Sequence, residues 1–143
     1  MKIILENSSE LERHAALLVD VFSQKPWCEK WEVDHAYDRL VYYVNTPHFL
    51  GLSAIEDDEL IGFLFGNFEP YQASSHFIIK EMCVKTDQQR KGIGKQLLSE
   101  LYPHLKKNKA ASCFLLTRRD SPAETFYLDN GYTLSESMRV YFK

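Results

Sequence analysis

The spacing of apolar residues predicts a short strand and two helices in the first third of the chain. Lys2 to Leu5 is an apolar run with the length of a strand. Helical spacing follows, and Ser9 with Glu12 forms a capping box where that helix starts. The second helix must end before Pro47. Its apolar face comprises Val33, Tyr37, Leu40, Val41 and Val44.

The middle of the chain changes to the periodicity of strands. Phe49–Glu56 and Glu59–Phe68 flank Asp57-Asp58, a dipeptide that favours a hairpin turn. His76–Lys85 forms the next strand. Because side chains alternate along a strand, three of its residues should share one face: Ile79, Glu81 and Cys83.

The last third alternates between helices and strands. A helix begins at Gly92, and Pro103 should kink or shorten its last turn. Ala111–Thr117 is a compact apolar strand. A short helix then begins with Ser121 as its N-cap and Pro122 at its first position. Two final strands are predicted: Tyr132–Leu134 and Met138–Phe142.

This order of elements predicts an α/β fold with a mixed sheet and helices on its faces. Antiparallel hairpins come first and strand–helix–strand units later. A length of 143 residues, with no internal repeat or linker-like stretch, favours a single domain over residues 1–143. The hydrophobic share of 45% is enough for one well-filled core.

Composition narrows the function classes. The chain has no segment like a signal peptide and no apolar run of the ~20 residues that cross a bilayer, so no membrane association is expected. Three cysteines without metal-ligand spacing fit a reduced, cytoplasmic compartment. A net charge of −3 argues against a nucleic-acid partner. The five histidines form no i, i+4 pair, so no metal site is predicted.

A glycine-rich loop joins the strand ending near Val84 to the helix that begins at Gly92. Its sequence is Gln89-Arg90-Lys91-Gly92-Ile93-Gly94. Glycines at a helix start let the backbone approach a ligand closely, and the helix N-terminus favours anions. The loop therefore predicts a phosphate or pyrophosphate site. It lacks both the lysine–threonine pair of a Walker loop and the third glycine of a dinucleotide fingerprint.

This loop, with Val84 five positions before its glutamine, resembles the pyrophosphate loop of the GNAT (general N-acetyltransferase) superfamily. A second segment resembles the later helix of that family, in which an alanine and a tyrosine face coenzyme A. Here these residues are Ala123 and Tyr127, and Gly131-Tyr132 follows as the pair that begins the next strand. The resemblance covers nearly the whole chain.

The resemblance implies a largely antiparallel, mixed sheet of six to seven strands with splayed central parallel strands and about four helices on both faces. Acetyl-CoA would lie where Phe77–Lys85 and Ala111–Thr117 splay apart. The pantetheine of acetyl-CoA would meet unpaired main-chain groups of the strand Phe77–Lys85. Its pyrophosphate would meet the N–H groups of the glycine-rich loop. The implied cofactor-binding residues are Met82, Cys83, Val84, Gln89, Arg90, Lys91, Gly92, Ile93, Gly94, Lys95, Ser121, Ala123, Phe126 and Tyr127.

Two residues are candidates for proton transfer. Glu81 lies on the strand beside the expected thioester, where it would act as a general base, directly or through water. Its alternative is a solvated strand carboxylate or an ordinary cross-strand ion-pair partner. Tyr127 takes the position of the family's frequent general acid, and its alternative is an aromatic residue packed on the sheet. Cys83 is interpreted as a small hydrophobic residue rather than a nucleophile.

The chemical class of the acceptor amine is predicted only from the residues expected around it. Aromatic and acidic groups suit a cationic amine, either a small molecule or an amine of a peptide or protein. The candidate substrate-binding residues are Trp27, Trp31, Phe68, Tyr71 and Glu81. A coenzyme-A-binding module without catalysis, serving as a sensor or partner, is the alternative function. A homodimer through edge strands near the C-terminus is a further expectation.

Overall fold

The fold is built on one five-stranded sheet with the strand order β1-β2-β3-β4-β5. A computed structural model describes residues 1–7 and 10–143. Strands β1 to β4 are antiparallel, and β5 runs parallel to β4. The strands are β1 (Lys2–Leu5), β2 (Phe49–Glu56), β3 (Glu59–Tyr71), β4 (Ser74–Val84) and β5 (Ala110–Leu115).

Four helices accompany the sheet: α1 (Glu12–Phe22), α2 (Val33–Val44), α3 (Ile93–Lys107) and α4 (Pro122–Asp129). The predicted capping residue Ser9 lies outside the described residues. Helix α2 ends before Pro47, as the sequence predicts. Helix α3 continues through Pro103 to Lys107, so the proline does not shorten it. None of the helices in the described ranges is long and apolar enough to cross a membrane.

The sheet separates two hydrophobic clusters. On one face, α1 and α2 pack against β3 through residues such as Leu18, Leu40 and Phe63, all of them buried. On the other face, α3 packs through Leu97 and Leu101, with α4 at the margin. Helices on both faces confirm the predicted architecture.

Strand β4 contains an extra residue, and this corrects the predicted alternation. Phe65 of β3 pairs with Glu81, whereas the next residue, Gly66, pairs with Ile79. Lys80 is therefore a bulge with no partner in β3, and a bulge reverses the faces of the residues beyond it. Ile79 packs in the α3 cluster, whereas Cys83 packs in the α1–α2 cluster. The prediction that Ile79, Glu81 and Cys83 share one face was wrong.

The parallel strands part at this same place. The ladder between β4 and β5 ends at the pair Ile79 and Leu115, while β4 continues to Val84. Beyond Ile79, β4 is paired only with β3 among the described residues. The sheet thus has the gap between its two parallel strands that the family resemblance implied, although β5 lies at the edge of the described sheet rather than at its centre.

The two final strands are a second correction. Tyr132–Leu134 and Met138–Phe142 form no strand, and the sheet has five strands rather than six or seven. A strand exists only where a neighbouring strand accepts and donates its main-chain hydrogen bonds. In the described part of the chain, these residues pair with no other strand.

Local turn chemistry is as predicted. Asp57 and Asp58 both have left-handed φ angles, 48° and 62°, the conformation of a tight hairpin turn. The Ser121 hydroxyl accepts the Glu124 N–H at the start of α4, 3.2 Å away. Gly131 has a φ of 88° and closes that helix as a left-handed cap.

A buried histidine joins α1 to the sheet. The Nε2 atom of His14 lies 2.8 Å from the Ser53 Oγ, and the Ser53 hydroxyl donates to Glu6 at 2.8 Å. Burial lowers the pKa of His14, assisted by the nearby charge of Arg13 and opposed by Glu6 and by the Glu10 carbonyl. The lowered pKa favours the neutral imidazole, whose Nε2 atom also lies 3.2 Å from the Glu6 carboxylate.

The lowered pKa of His14 predicts a stability that depends on pH. The contribution is fully present above the unfolded-state pKa of ~6.5 and is lost as the pH falls through the folded-state value. We expect His14→Gln, which cannot titrate, to lose less free energy of unfolding between neutral and mildly acidic pH than the unsubstituted chain. Chemical denaturation at a series of pH values measures this. His35→Gln, at an exposed position, is the matched control, and equal acid sensitivity in all three proteins would contradict the assignment.

Candidate functional site

A cavity of ≈ 260 Å³ lies where β4 and β5 part. The bulged segment 79–82 of β4 lines it, and residues 115–118, at the end of β5 and just after it, form one side. Residues of α1, α2 and the loop between them form the opposite side. Helix α4 contributes two of the sequence-predicted residues, Ala123 and Tyr127. The splayed strands therefore open into a space that both layers of helices border.

Glu81 lies in this cavity as half of an ion pair. Its carboxylate accepts a hydrogen bond from the Nε atom of Arg39 at 2.8 Å, and only 12% of its side chain is exposed. Burial raises the pKa of Glu81, and the negative charge of Glu29 adds to this, whereas Arg39 lowers it. The sequence analysis weighed a base against a solvated or cross-strand ion-paired carboxylate, and the ion pair that the structure contains is with a helix residue instead.

Arg39 is a site residue that the sequence analysis missed. Its guanidinium lies over the rings of Trp31 and Tyr43, 5.5 Å and 5.0 Å from their centroids. Stacked guanidinium groups lose little freedom when they bind a carboxylate, so Arg39 is well placed to orient Glu81. The i, i+4 spacing of Arg39 and Tyr43 on α2 was the available signal. It could not identify Glu81 as the partner.

Tyr127 reaches the cavity from α4. Its hydroxyl donates to the Sδ atom of Met82 at 3.5 Å, and its ring packs on Phe126 and Tyr132. Burial raises the pKa of Tyr127, and nearby Cys113, Glu81 and Cys83 raise it further. The phenol therefore stays protonated throughout the physiological pH range and acts as a hydrogen-bond donor.

Cys83 faces away from Tyr127, in the α1–α2 cluster. The side chain is buried, and burial raises the pKa of its thiol well above the ordinary value, with Glu81 adding to the effect. A thiol that resists ionisation is a poor nucleophile. This supports the interpretation of Cys83 as a small hydrophobic residue.

The start of α3 has the properties of an anion site. The Gln96 N–H is bonded to the Gly92 carbonyl, so the N–H groups of residues 93–95 have no helical acceptor. Among the described residues, no side chain caps this end. Gly92 has a φ of 86° with open space around it, so glycine is required there for its conformation. Arg90 and Lys91 are exposed beside it.

Other predicted cofactor-binding residues connect the glycine-rich loop and the start of α3 to β4 and α4. A Cβ atom on Gly94 would lie 3.0 Å from the ring of Phe126, so the second glycine allows α4 to pack on the start of α3. The Gln89 side chain donates to the Val84 carbonyl at 3.0 Å and ties the loop to the end of β4. The Ser121 hydroxyl is engaged with its helix cap and with the Arg118 carbonyl, 2.7 Å away.

The candidate acceptor residues divide into two groups. Trp27 and Trp31 border the cavity, but arginines already lie over their rings: Arg118 over Trp27 at 5.4 Å and Arg39 over Trp31. Phe68 is buried against Phe77, and Tyr71 lies beside His76 at the far end of β3. Neither Phe68 nor Tyr71 borders the cavity.

Two basic residues brace the loop between α1 and α2. Arg118 donates to the Pro26 carbonyl at 3.0 Å and so links the loop before α4 to the loop before α2. Arg39 holds the other end of the loop through Trp31.

No group of three His, Cys, Asp or Glu side chains suited to a metal ion is present within residues 1–7 and 10–143.

Solved structures similar to this chain share its fold. An aminoglycoside acetyltransferase, meta-AAC0020, from an uncultured soil metagenomic sample, in complex with sisomicin, has a TM-score of 0.77 at 20% identity and covers 99% of this chain and 94% of its own. A ribosomal-protein-alanine N-acetyltransferase from Brucella melitensis biovar Abortus 2308 has a TM-score of 0.78 at 16% identity and covers 100% and 99%. At such identities the likeness shows the fold.

The aminoglycoside acetyltransferase AAC(6')-Iy, in complex with a bisubstrate analogue, has a TM-score of 0.76 at 16% identity and covers 99% of this chain and 97% of its own. No curated protein matched the sequence. The family model of the acetyltransferase (GNAT) domain matches residues 47–134, which extend from the start of β2 to beyond α4. That span includes the bulged strand, the glycine loop and Tyr127, and this chain belongs to the GNAT acetyltransferase family.

Proposed function

We propose that this protein transfers the acetyl group of acetyl-CoA to a primary amine. The observation that carries the proposal is one cavity, at the parting of β4 and β5, bordered by both Glu81 and Tyr127. A buried carboxylate and a buried, protonated phenol are the acid–base pair that such a transfer uses. Membership of the GNAT family supports the reaction class.

The residues present fit coenzyme A. The free N–H groups at the start of α3 and the charges of Arg90 and Lys91 suit a pyrophosphate. Beyond Ile79, the edge of β4 that faces β5 has main-chain groups available for the pantetheine amides. When bound, acetyl-CoA supplies the acetyl group as an activated thioester.

Glu81 would take the proton that the acceptor loses. A free alkylamine has a pKa of ~10.4 and is protonated at neutral pH, so it must lose a proton before it can attack. The raised pKa of Glu81 makes its carboxylate a stronger base. Arg39 would act as a positioning residue that keeps Glu81 ionised, since its charge opposes the effect of burial.

Tyr127 would give a proton to the departing sulfur as the carbon–sulfur bond breaks. Its hydroxyl now donates to the sulfur of Met82, a weak acceptor. Exchange of this acceptor for a thiolate gives a stronger, charge-assisted hydrogen bond. The nitrogen of the protonated amine loses two protons in all: Glu81 would take one before the attack, and the second would replace the proton that Tyr127 gives to the sulfur. The products are then the acetylated amine, the thiol of coenzyme A and protonated Glu81.

The acceptor that we propose is a small-molecule amine. Similar structures include aminoglycoside acetyltransferases, one with sisomicin bound. Glu29 borders the cavity and would meet a cationic amine, whereas Glu81 is paired with Arg39 and arginines lie over the tryptophan rings. The carboxylate of Glu29, rather than a cation–π contact, would therefore attract the substrate.

Release of free thiol from acetyl-CoA, measured with a panel of amines, tests the function. We expect turnover with small polyamines or aminoglycosides and little with peptides. Turnover with peptide N-termini alone would favour a protein acceptor. Binding of coenzyme A by calorimetry without thiol release for any amine would contradict the proposal and favour a non-catalytic coenzyme-A-binding module.

Substitution of Tyr127 by phenylalanine removes only the proposed proton donor. We expect kcat to fall by about 100-fold or more, the scale of general acid catalysis, with a much smaller change in the KM for acetyl-CoA. Tyr132→Phe is the matched control, because Tyr132 is a neighbouring tyrosine with a raised pKa that does not border the cavity. Equal rates for the two variants would remove the assignment.

Substitution of Arg39 by glutamine should change the pH profile. Arg39 lowers the pKa of Glu81, so its loss should raise that pKa, and the acidic limb of kcat/KM should move to higher pH. Arg39→Lys retains the charge, so the acidic limb of kcat/KM should lie close to its pH in the unsubstituted protein. Profiles of the three proteins against pH measure the effect, and an unmoved limb in Arg39→Gln would show that Glu81 is not the titrating base.

A further inference from the structure

The loop between α1 and α2 comprises residues 23–32, and several of its side chains border the cavity. Its main chain is tied back to α1, because the Glu29 N–H is bonded to the Phe22 carbonyl at 2.8 Å. Among the described residues, one hydrogen bond joins this loop to the part of the chain that follows β5, and Arg118 donates it. The position of this part of the loop across the cavity therefore depends on Arg118.

Arg118 makes two contacts with the loop through one guanidinium. One nitrogen, Nη1, donates to the Pro26 carbonyl at 3.0 Å, and the central carbon lies 5.4 Å from the centroid of the Trp27 ring. The same ring packs edge-on against Phe22 at the end of α1, with 5.5 Å between the centroids. A planar guanidinium can lie over a ring while its edge donates a hydrogen bond. Arg118 therefore fixes both the main chain and a side chain of the loop.

Arg118 is in turn held at the start of α4. Its carbonyl accepts a hydrogen bond from the Ser121 hydroxyl at 2.7 Å, and the Ser121 oxygen accepts the Glu124 N–H at 3.2 Å. Ser121 is buried, and hydrogen bonds removed from water are electrostatically stronger. Helix α4 carries Tyr127 into the cavity. Arg118 thus connects the loop to the helix that brings the proposed proton donor.

The contact between Arg118 and Trp27 spans the cavity. Both residues border it, one on the side formed by residues 115–118 and the other on the side formed by the loop. The cavity volume is ≈ 260 Å³. Sites that enclose drug-sized ligands measure ~300–1,000 Å³, and here the acetyl end of the cofactor would occupy part of the space. The room that remains beside the thioester suits a slender amine.

We propose that Arg118 is a specificity-determining residue: by tying the loop to the start of α4 it limits the width of the acceptor, so that straight-chain amines enter and amines built on a ring are disfavoured. The inference rests on the acetyl transfer proposed above and narrows its acceptor. Arg118 acts through Pro26 and Trp27, which it holds in place, and needs no contact with the reacting atoms. Its loss should widen the cavity at this point.

Two diamines of equal charge and equal chain length test the selection by width. Hexamethylenediamine is a straight chain, whereas 1,4-bis(aminomethyl)cyclohexane places a ring between the same two aminomethyl groups. We expect the unsubstituted protein to have the higher kcat/KM with the straight chain. In Arg118→Gln this preference should fall by about tenfold, the scale of one hydrogen bond and one cation–π contact, with the KM for acetyl-CoA unchanged.

Arg119→Gln is the matched control, because it removes the same charge from an exposed neighbour that does not border the cavity. Its preference should equal that of the unsubstituted protein. An unsubstituted protein without a preference for the straight chain would overturn the proposal. An unchanged preference in Arg118→Gln, or an equal fall in Arg119→Gln, would also overturn it.

Amide hydrogen exchange tests the link itself and requires no acceptor. We expect residues 24–30 to exchange about tenfold faster in Arg118→Gln than in the unsubstituted protein or in Arg119→Gln, because the loop opens more often without the two contacts. Exchange in the core of α3 should be the same in all three proteins, which shows that the variants are folded. Unchanged exchange of the loop in Arg118→Gln would overturn this inference whether or not an amine is acetylated. Absence of turnover with every amine, by contrast, would overturn the proposed function.

Discussion

The extra residue in β4 is the constraint on which the rest of the site depends. Lys80 has no partner in β3, so the strand reverses its faces between Ile79 and Glu81. Ile79 remains in the core under α3, whereas Glu81 turns toward α2, where Arg39 meets it. The ladder with β5 ends at the same point. Without the bulge, alternation would carry Glu81 to the opposite face, under α3, and away from Arg39.

Burial has different chemical consequences for Glu81 and for Tyr127. It raises the pKa of both Glu81 and Tyr127, because removal from water disfavours either anion. For Tyr127 this preserves a donor that does not ionise. For Glu81 it strengthens the base, but burial without a partner would favour the protonated acid, which cannot accept a proton. Arg39 opposes that shift, and its stacking on Trp31 and Tyr43 holds it in place for this.

The features that the sequence predicted correctly are those decided by a few neighbouring residues. The Asp57-Asp58 turn and the Ser121 cap each follow from what one residue or one helix turn allows. The features that it missed need a distant partner. Lys80 is a bulge only in relation to β3, and Arg39 meets a carboxylate 42 positions away. Phe68 and Tyr71 are aromatic residues of the correct kind, but the register of β3 and β4 carries them away from the cavity.

The prediction of two strands near the C-terminus was wrong for a different reason. A helix satisfies its main-chain groups from within its own sequence, whereas a strand needs a second strand to do so. Strand propensity describes how well residues fit a partly buried, pleated surface, and that surface must come from another element. Residues 132–142 therefore have the composition that predicts strands, but in the described part of the chain no partner strand pairs with them.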